Sequence, residues 1–192
     1  ECGLVFEAHI VNLLAGDQYK KEYLAINPKG SIPALVLDDG SSLTEFSAIA
    51  WWLARTYPKR KLLPESIAGE VRVLGIMNYA VHTLHTQGFA RIFTTERFSP
   101  SSSDHESVKA QGRQIIDQGF AIINRELEGR DYVADQFSIA DAALFYVEFW
   151  ADRTGIPLPA NCAAHYRLML TRPAVRQVLA EEGYASVLRQ TS

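Results

Sequence analysis

Two histidines on one predicted helix have side chains that could take part in chemistry. His82 and His85 lie between Asn78 and Phe89, and steps of four, three and four residues place all four on one face of an α-helix. Histidines three residues apart could begin a metal site, but no cysteine or carboxylate stands nearby at the spacing of metal ligands. We therefore predict no bound metal, and a polar helix face that lines a cleft.

The pattern with the most specific local meaning is Ser138 followed three residues later by Asp141. Ser138 at a helix N-cap can accept a hydrogen bond from a backbone N–H, and Asp141 can reach back to the N–H of the cap. Asp141 also lies near the positive end of the helix dipole. We predict a structural capping box at a buried helix start, without a catalytic role.

Two short segments in the first third of the chain could hold an extended, charged ligand. Pro33 opens a predicted strand, so the Ile32–Pro33 bond is a candidate cis peptide that would turn the backbone of Ile32 toward a peptide ligand. Glu45 precedes a predicted helix start at Phe46 and Ser47, where free N–H groups favour an anion. From spacing alone, an ordinary edge-strand proline remains open for Pro33, and a plain helix cap is favoured at Glu45.

The composition excludes several classes of protein. Of 192 residues, 47% are hydrophobic and the net charge is -3, whereas disordered chains have fewer apolar residues and a larger net charge. The 19 Lys and Arg residues against 22 Asp and Glu leave no cationic excess for nucleic acid. No apolar run approaches the roughly 18 residues that span a bilayer, and no signal-peptide pattern follows Glu1. We expect a cytoplasmic protein that binds neither nucleic acid nor membrane.

The elements predicted to position these side chains differ between the two halves of the chain. In the first half, apolar and β-branched runs predict strands at 5–11, 33–37 and 42–44, with a helix from Phe46 to Tyr57. Pro58 ends this helix. The first half is therefore a small mixed module of strands and helices.

The second half shows only helical signals. A basic linker is followed by apolar residues at helical spacing, and the first such stripe comprises Val71, Leu74, Val81 and Leu84. Further helices are predicted after 108, 138, 159 and 173. We predict an α+β protein of two domains, with a mixed domain at 1–58, a linker at 59–65 and an all-α helical bundle at 66–192.

Five segments, in order and across nearly the whole chain, resemble the glutathione S-transferase family, most closely its bacterial beta-like members. They are Asn-Pro-Lys-Gly-Ser-Ile-Pro-Ala-Leu (27–35), Leu-Thr-Glu-x-x-Ala-Ile (43–49), Asn78-Tyr79 with Leu84-His85, Phe-Ser-Ile-Ala-Asp (137–141) and Arg-Pro-Ala-Val (172–175). The family fold is a thioredoxin-like domain followed by an all-α domain. The resemblance thus implies that residues 1–58 form a thioredoxin-like glutathione-binding domain.

The resemblance also implies glutathione as co-substrate, with no metal. Ile32, ahead of a cis Pro33, would bind the cysteinyl part of glutathione through its backbone. Glu45 and the N–H groups of Phe46 and Ser47 would hold the γ-glutamyl end.

Further roles follow from the resemblance for the predicted helix face. His85 would lie near the glutathione sulfur and favour the thiolate, which makes it the catalytic candidate. Asn78 would reach the glutathione of the neighbouring subunit in a homodimer, with His82 one turn further on. Phe89 and Phe93 would form part of an electrophile pocket.

Two departures from the family pattern bear on function. Phe46 occupies a position where the family commonly has serine, with Ser47 one residue later, so γ-glutamyl binding would be looser or reorganised. In addition, the first strand and helix of the fold, whose junction carries the catalytic Cys, Ser or Tyr, would precede Glu1. We therefore expect the natural polypeptide to be longer than this sequence.

The resemblance predicts a detoxifying transferase that joins the glutathione thiolate to an apolar electrophile or exchanges it with a mixed disulfide. Peroxidase and dehalogenase activities remain open, because one fold supports many reactions. The alternative is a non-catalytic interaction or regulatory module that keeps the fold. Phe46 and the absent nucleophile motivate this alternative.

Overall fold

The computed structural model describes residues 1–188. Within it the chain divides into two compact units, of which the first ends at Leu62 and the second begins at Leu63. The units differ in architecture, because strands occur in the first and the described part of the second is helical.

The N-terminal unit is built around a short hairpin. Strands β1 (Ala34–Val36) and β2 (Ser42–Thr44) pair antiparallel, with Leu35 opposite Leu43. A short helix α1 (Lys21–Leu24) precedes the hairpin, and α2 (Phe46–Thr56) follows it directly. The predicted strand at 42–44 is present with the same bounds, and the predicted strand at 33–37 and helix from Phe46 are present with ends that differ by at most one residue.

The strand predicted at 5–11 is not formed. This segment has no regular secondary structure, and Val5 and Ile10 are fully solvent-exposed. Strand propensity describes side chains that pack on a pleated sheet, whereas a strand itself requires a partner that shares its backbone hydrogen bonds. The hairpin pairs β1 with β2 and does not include residues 5–11.

The second unit is a bundle of helices, as predicted. Helix α3 (Ile67–Asn78) continues into a π-helix over Tyr79–Phe89 and then into the short α4 (Ala90–Phe93). The remaining helices are α5 (His105–Glu126), α6 (Ile139–Thr154), α7 (Ala160–Met169) and α8 (Pro173–Glu181).

The buried face of α3 and the π-helix differs from the predicted stripe. Leu84 of that stripe is buried as predicted, but Val71 is 61% exposed, and Val73, Met77 and Ala80 are buried instead. The apolar positions alone are consistent with more than one stripe, and packing against α5 and α6 determines which of them is buried. This packing is close because α5 presents a glycine: a Cβ on Gly119 would lie 2.4 Å from Cδ2 of Leu84.

The start of α6 carries the predicted capping box, which belongs to a larger buried network. Asp141 Oδ2 accepts hydrogen bonds from the backbone N–H and the hydroxyl of Ser138, at 2.7 Å each. Asp141 Oδ1 accepts from the N–H of Val133 at 2.8 Å and lies 3.2 Å from Nε2 of His165. Nδ1 of His165 in turn contacts Glu148. The network therefore ties the loop before α6, α6 itself and α7 together.

Candidate functional site

The loop before β1 is held by a buried asparagine. Asn27 donates from Nδ2 to the carbonyl of Ser31 at 2.7 Å, and its Oδ1 accepts from the N–H of Lys29 at 3.1 Å. The hydroxyl of Tyr23 donates to the same Ser31 carbonyl at 2.6 Å. Asparagine side chains commonly close turns in this way. The result is a fixed backbone path into Pro33.

The Ile32–Pro33 peptide bond is cis, as predicted, and Ile32 is 47% exposed. Gly30, two residues earlier, adopts a φ of 61°. A Cβ at this position would lie 3.0 Å from the ring of Tyr19, so both the backbone angle and the space favour glycine. The segment ahead of β1 thus presents Ile32 at the surface.

Glu45 lies at the N-cap of α2 in a strained backbone conformation, with φ 71° and ψ 123°. Its Oε1 accepts a hydrogen bond from Lys29 Nζ at 2.7 Å, and Lys29 also donates to Thr44 Oγ1 at 3.0 Å. Phe46 and Ser47, the first two residues of α2, are half-buried. The helix start, the carboxylate and an ammonium group are therefore brought together in this unit.

In the second unit, His85 stacks against two aromatic rings of α6. Its ring centroid lies 4.8 Å from that of Trp150, with an interplanar angle of 21°, and 6.0 Å from that of Tyr146, with an angle of 28°. Burial in this stack lowers the pKa of His85 below its ordinary value of 6.5. The imidazole is therefore uncharged at neutral pH.

The neighbour of His85 indicates which ring nitrogen carries the proton. Thr86 donates its hydroxyl hydrogen to the carbonyl of Val81 at 2.9 Å. The same oxygen lies 3.4 Å from Nδ1 of His85, so it can act only as an acceptor there. This contact is consistent with a neutral ring that carries its hydrogen on Nδ1, whose Nε2 has a lone pair that can accept a proton.

The two phenylalanines predicted to form a pocket wall have different environments. Phe89 is fully buried and lies beneath Phe93 and Trp150, at centroid distances of 6.0 and 5.4 Å. Phe93 is 47% exposed and meets Trp150 edge-on at 4.9 Å. Phe89 thus supports the aromatic cluster from below, and Phe93 presents a ring at the surface.

The prediction that Asn78, His82, His85 and Phe89 share one α-helical face is wrong. Residues 79–89 form a π-helix, whose i→i+5 hydrogen bonds widen the turn and change which side chains align. His82 is exposed, with Nδ1 3.1 Å from the carbonyl of Asn78, while Phe89 is buried. Within residues 1–188, no group of three or more His, Cys, Asp or Glu side chains is arranged to hold a metal ion.

Three residues of these surfaces, Lys29, Tyr146 and Trp150, are absent from the sequence-based prediction. Tyr146 and Trp150 are four residues apart on α6, a spacing that places two aromatic rings on one helix face. This spacing is visible in the sequence and indicates an aromatic surface on the helix. Lys29 lies in a turn, and its type and position carry no signal for the contact with Glu45.

Comparison with known proteins assigns both units. Residues 1–56 match the sequence profile of the glutathione S-transferase N-terminal domain, and residues 106–181 match that of the C-terminal domain. The chain is 36% identical over 169 residues to glutathione S-transferase GstA of Escherichia coli O157:H7, an alignment that covers 84% of this chain and 79% of that protein.

Solved structures agree with this assignment. A glutathione transferase homologue from Sulfitobacter with bound glutathione superposes with a TM-score of 0.84 and 28% identity, over 94% of this chain and 88% of that one. The bacterial beta class glutathione S-transferase of Sphingomonas chungbukensis gives a TM-score of 0.72 and 29% identity, over 85% and 80%. The chain belongs to the glutathione S-transferase family, and the predicted beta-like resemblance and two-domain fold are confirmed.

Membrane association through a spanning helix finds no support in residues 1–188, where no helix has both the length and the apolar character to cross a bilayer.

Proposed function

We propose that the protein conjugates the thiolate of glutathione to an apolar electrophile. The observation that carries this proposal is that two exposed features of the N-terminal unit, Ile32 ahead of β1 and the Glu45 carboxylate at the start of α2, lie on segments that the contact of Lys29 with Glu45 joins. Glutathione is an extended peptide with an ammonium group at its γ-glutamyl end. Backbone pairing at Ile32 and charge pairing at Glu45 would hold its two ends, with Phe46 and Ser47 contributing helix N–H groups.

His85 is proposed as a base that activates the thiol. Nε2 of the neutral imidazole would accept the thiol proton, and the resulting thiolate would form the new C–S bond as the electrophile releases its leaving group. Burial lowers the pKa of His85, so the ring is in the proton-accepting form at neutral pH. This role differs from that of a cationic imidazole, which would stabilise the thiolate by charge.

The electrophile is proposed to be apolar and planar. Phe93 and Tyr146 each expose about half of their side chains beside Trp150, so the surface offers ring faces and edges to a flat, apolar molecule. Phe89 would contribute by supporting Phe93 and Trp150.

The assembly and the location of the enzyme are part of the proposal. We propose a cytoplasmic homodimer that serves in detoxification, in which Asn78 reaches the glutathione of the neighbouring subunit and His82 lies beside that contact. Residues 1–58 would form the glutathione-binding domain, joined by residues 59–65 to the helical domain at 66–192. A monomer in sedimentation velocity at micromolar concentration would contradict the dimer and the role of Asn78.

The activity is tested with the full-length protein by two measurements. Retention on immobilised glutathione with elution by free glutathione, and conjugation of an aryl halide followed by the absorbance of the thioether, are both expected. A full-length protein with no measurable affinity for glutathione at millimolar concentration would overturn the proposal. Turnover of a glutathione mixed disulfide without conjugation of the aryl halide would identify thiol–disulfide exchange as the reaction.

A second candidate, a non-catalytic module with the family fold, is motivated by Phe46. A phenylalanine keeps the backbone N–H at the helix start but offers no hydroxyl to the γ-glutamyl carboxylate. Binding of glutathione without turnover of either substrate class would favour this candidate.

A further inference from the structure

The carboxylate that we propose for glutathione already holds a cation. Lys29 Nζ lies 2.7 Å from Glu45 Oε1 and 3.0 Å from Thr44 Oγ1, so acceptors from two adjacent residues surround one ammonium group. Lys29 comes from the loop ahead of Pro33, and Glu45 comes from the turn ahead of α2. The ion pair therefore joins the two segments that we propose to bind the ligand.

The ammonium of Lys29 and that of a γ-glutamyl group are chemically alike. Each is a compact cation with three N–H donors and a preference for carboxylate oxygens. Two such cations beside one carboxylate repel each other. The second cation therefore gains less electrostatic free energy from the carboxylate than the first does. A ligand ammonium that approaches Glu45 must either displace Lys29 or bind beside it, and in the second case its interaction with the carboxylate is weaker.

We propose that Lys29 is a specificity-determining residue that competes with the ligand α-ammonium for Glu45 and so weakens the affinity for γ-glutamyl ligands. The inference rests on the proposed function, since it takes Glu45 as the γ-glutamyl site. The side chains of Lys29 and Glu45 are 54% and 59% exposed. Ion pairs this exposed contribute modestly, so the expected change in affinity is about threefold.

The test compares the wild type with Lys29→Met and Lys20→Met by calorimetric titration of the full-length proteins with S-methylglutathione. Lys29→Met removes the ammonium and keeps an unbranched apolar stem. Lys20→Met removes the same charge from the same unit, where Lys20 forms an exposed ion pair with Asp17 at 2.7 Å. We expect a dissociation constant about threefold lower for Lys29→Met than for the wild type, and no change for Lys20→Met.

A second ligand separates competition from other effects of the substitution. The des-amino analogue of S-methylglutathione carries a glutaryl group and has no ammonium, so Lys29→Met should not bind it more tightly than the wild type does. Unchanged or weaker binding of S-methylglutathione by Lys29→Met, or equal tightening for both ligands, overturns the inference while the proposed function stands. A wild type that does not bind S-methylglutathione overturns the proposed function, and this inference with it.

Discussion

Nδ1 of His165 lies 2.8 Å from Oε2 of Glu148, and both side chains are completely excluded from solvent. The other ring nitrogen of His165 lies 3.2 Å from Asp141, so one imidazole bridges two carboxylates. Burial alone would lower the pKa of His165, but hydrogen bonds with Asp141 and Glu148 outweigh it and raise the pKa to about 9. The bridging ring is therefore an imidazolium at neutral pH, and it neutralises buried negative charge.

Replacement of His165 by glutamine should strongly destabilise the protein. Glutamine keeps a polar side chain but removes the cation, and a buried carboxylate left without its partner costs about 3–5 kcal/mol. Urea unfolding of the wild type and of His165→Gln measures the loss in the free energy of unfolding. His9→Gln is the matched control, because His9 is exposed and only 3.7 Å from an exposed Glu7. A loss for His165→Gln as small as that for His9→Gln would show that the bridge carries no net stability.

The contribution of His165 should depend on pH with a definite sign. The pKa of His165 is about 9 in the folded protein, whereas the ordinary value of 6.5 applies to the unfolded chain. The folded state therefore binds this proton more tightly than the unfolded state does. The stabilisation is then fully present below pH 6.5 and is lost as the pH rises toward 9. Burial also raises the pKa of Glu148, to about 7, so the ionisation of Glu148 separately lowers the stability as the pH rises toward 7. The wild type and His165→Gln should therefore converge in unfolding free energy between pH 6.5 and 9, and a constant difference would contradict the assignment.

Glu45→Gln should weaken glutathione binding about tenfold, because the amide keeps the shape of the side chain and loses the charge that attracts the ligand ammonium. Calorimetric titration measures the change. Glu22→Gln in the exposed α1 removes one negative charge from the same unit and should leave the affinity unchanged. Equal effects of the two substitutions would mean that Glu45 acts only through the net charge.

His85→Gln should lower kcat/KM for an aryl halide by about a hundredfold, the lower range for loss of a general base. His9→Gln, at an exposed histidine with no proposed role in binding, serves as the control. Because burial lowers the pKa of His85, the ratio of wild-type to His85→Gln activity should stay constant above pH 6.5 and fall in acid as the imidazole becomes protonated. A ratio that rises in acid would instead indicate a cationic imidazole.

Trp150→Leu should raise the pKa of His85 toward 6.5, because the substitution opens the stack that keeps water from the imidazole. Titration of the His85 ring proton by NMR measures this shift, and KM for the aryl halide should increase in parallel. Phe98→Leu is the control, since the ring of Phe98 lies under Arg91 at 4.3 Å. A pKa of His85 that does not move in Trp150→Leu would show that the stack is not the source of the shift.

The features that could be predicted from the sequence are those that depend on near neighbours. The strand at 42–44, the start of α2 at Phe46 and the capping box at Ser138 and Asp141 each follow from a turn or cap within a few residues. The residue pattern leaves the bond before Pro33 open between a cis peptide and an ordinary edge-strand proline, and the bond is cis.

The features that could not be predicted depend on distant partners or on backbone geometry. The segment 5–11 has strand propensity without a partner strand in the hairpin. The sequence carries no signal for the two carboxylate partners of His165, because Glu148 and Asp141 lie 17 and 24 residues away. The π-helix at Tyr79–Phe89 changes the periodicity on which the assignment of helix faces rested. Trp150 meets His85 only after α6 has packed.

The backbone conformation of Glu45 lowers the stability of the N-terminal unit. At φ 71° an L-residue with a side chain is strained, by about 1–3 kcal/mol, and glycine would relieve that strain. Selection for stability alone would therefore favour glycine at this position. With glutamate there, the N-terminal unit is less stable than its own fold permits.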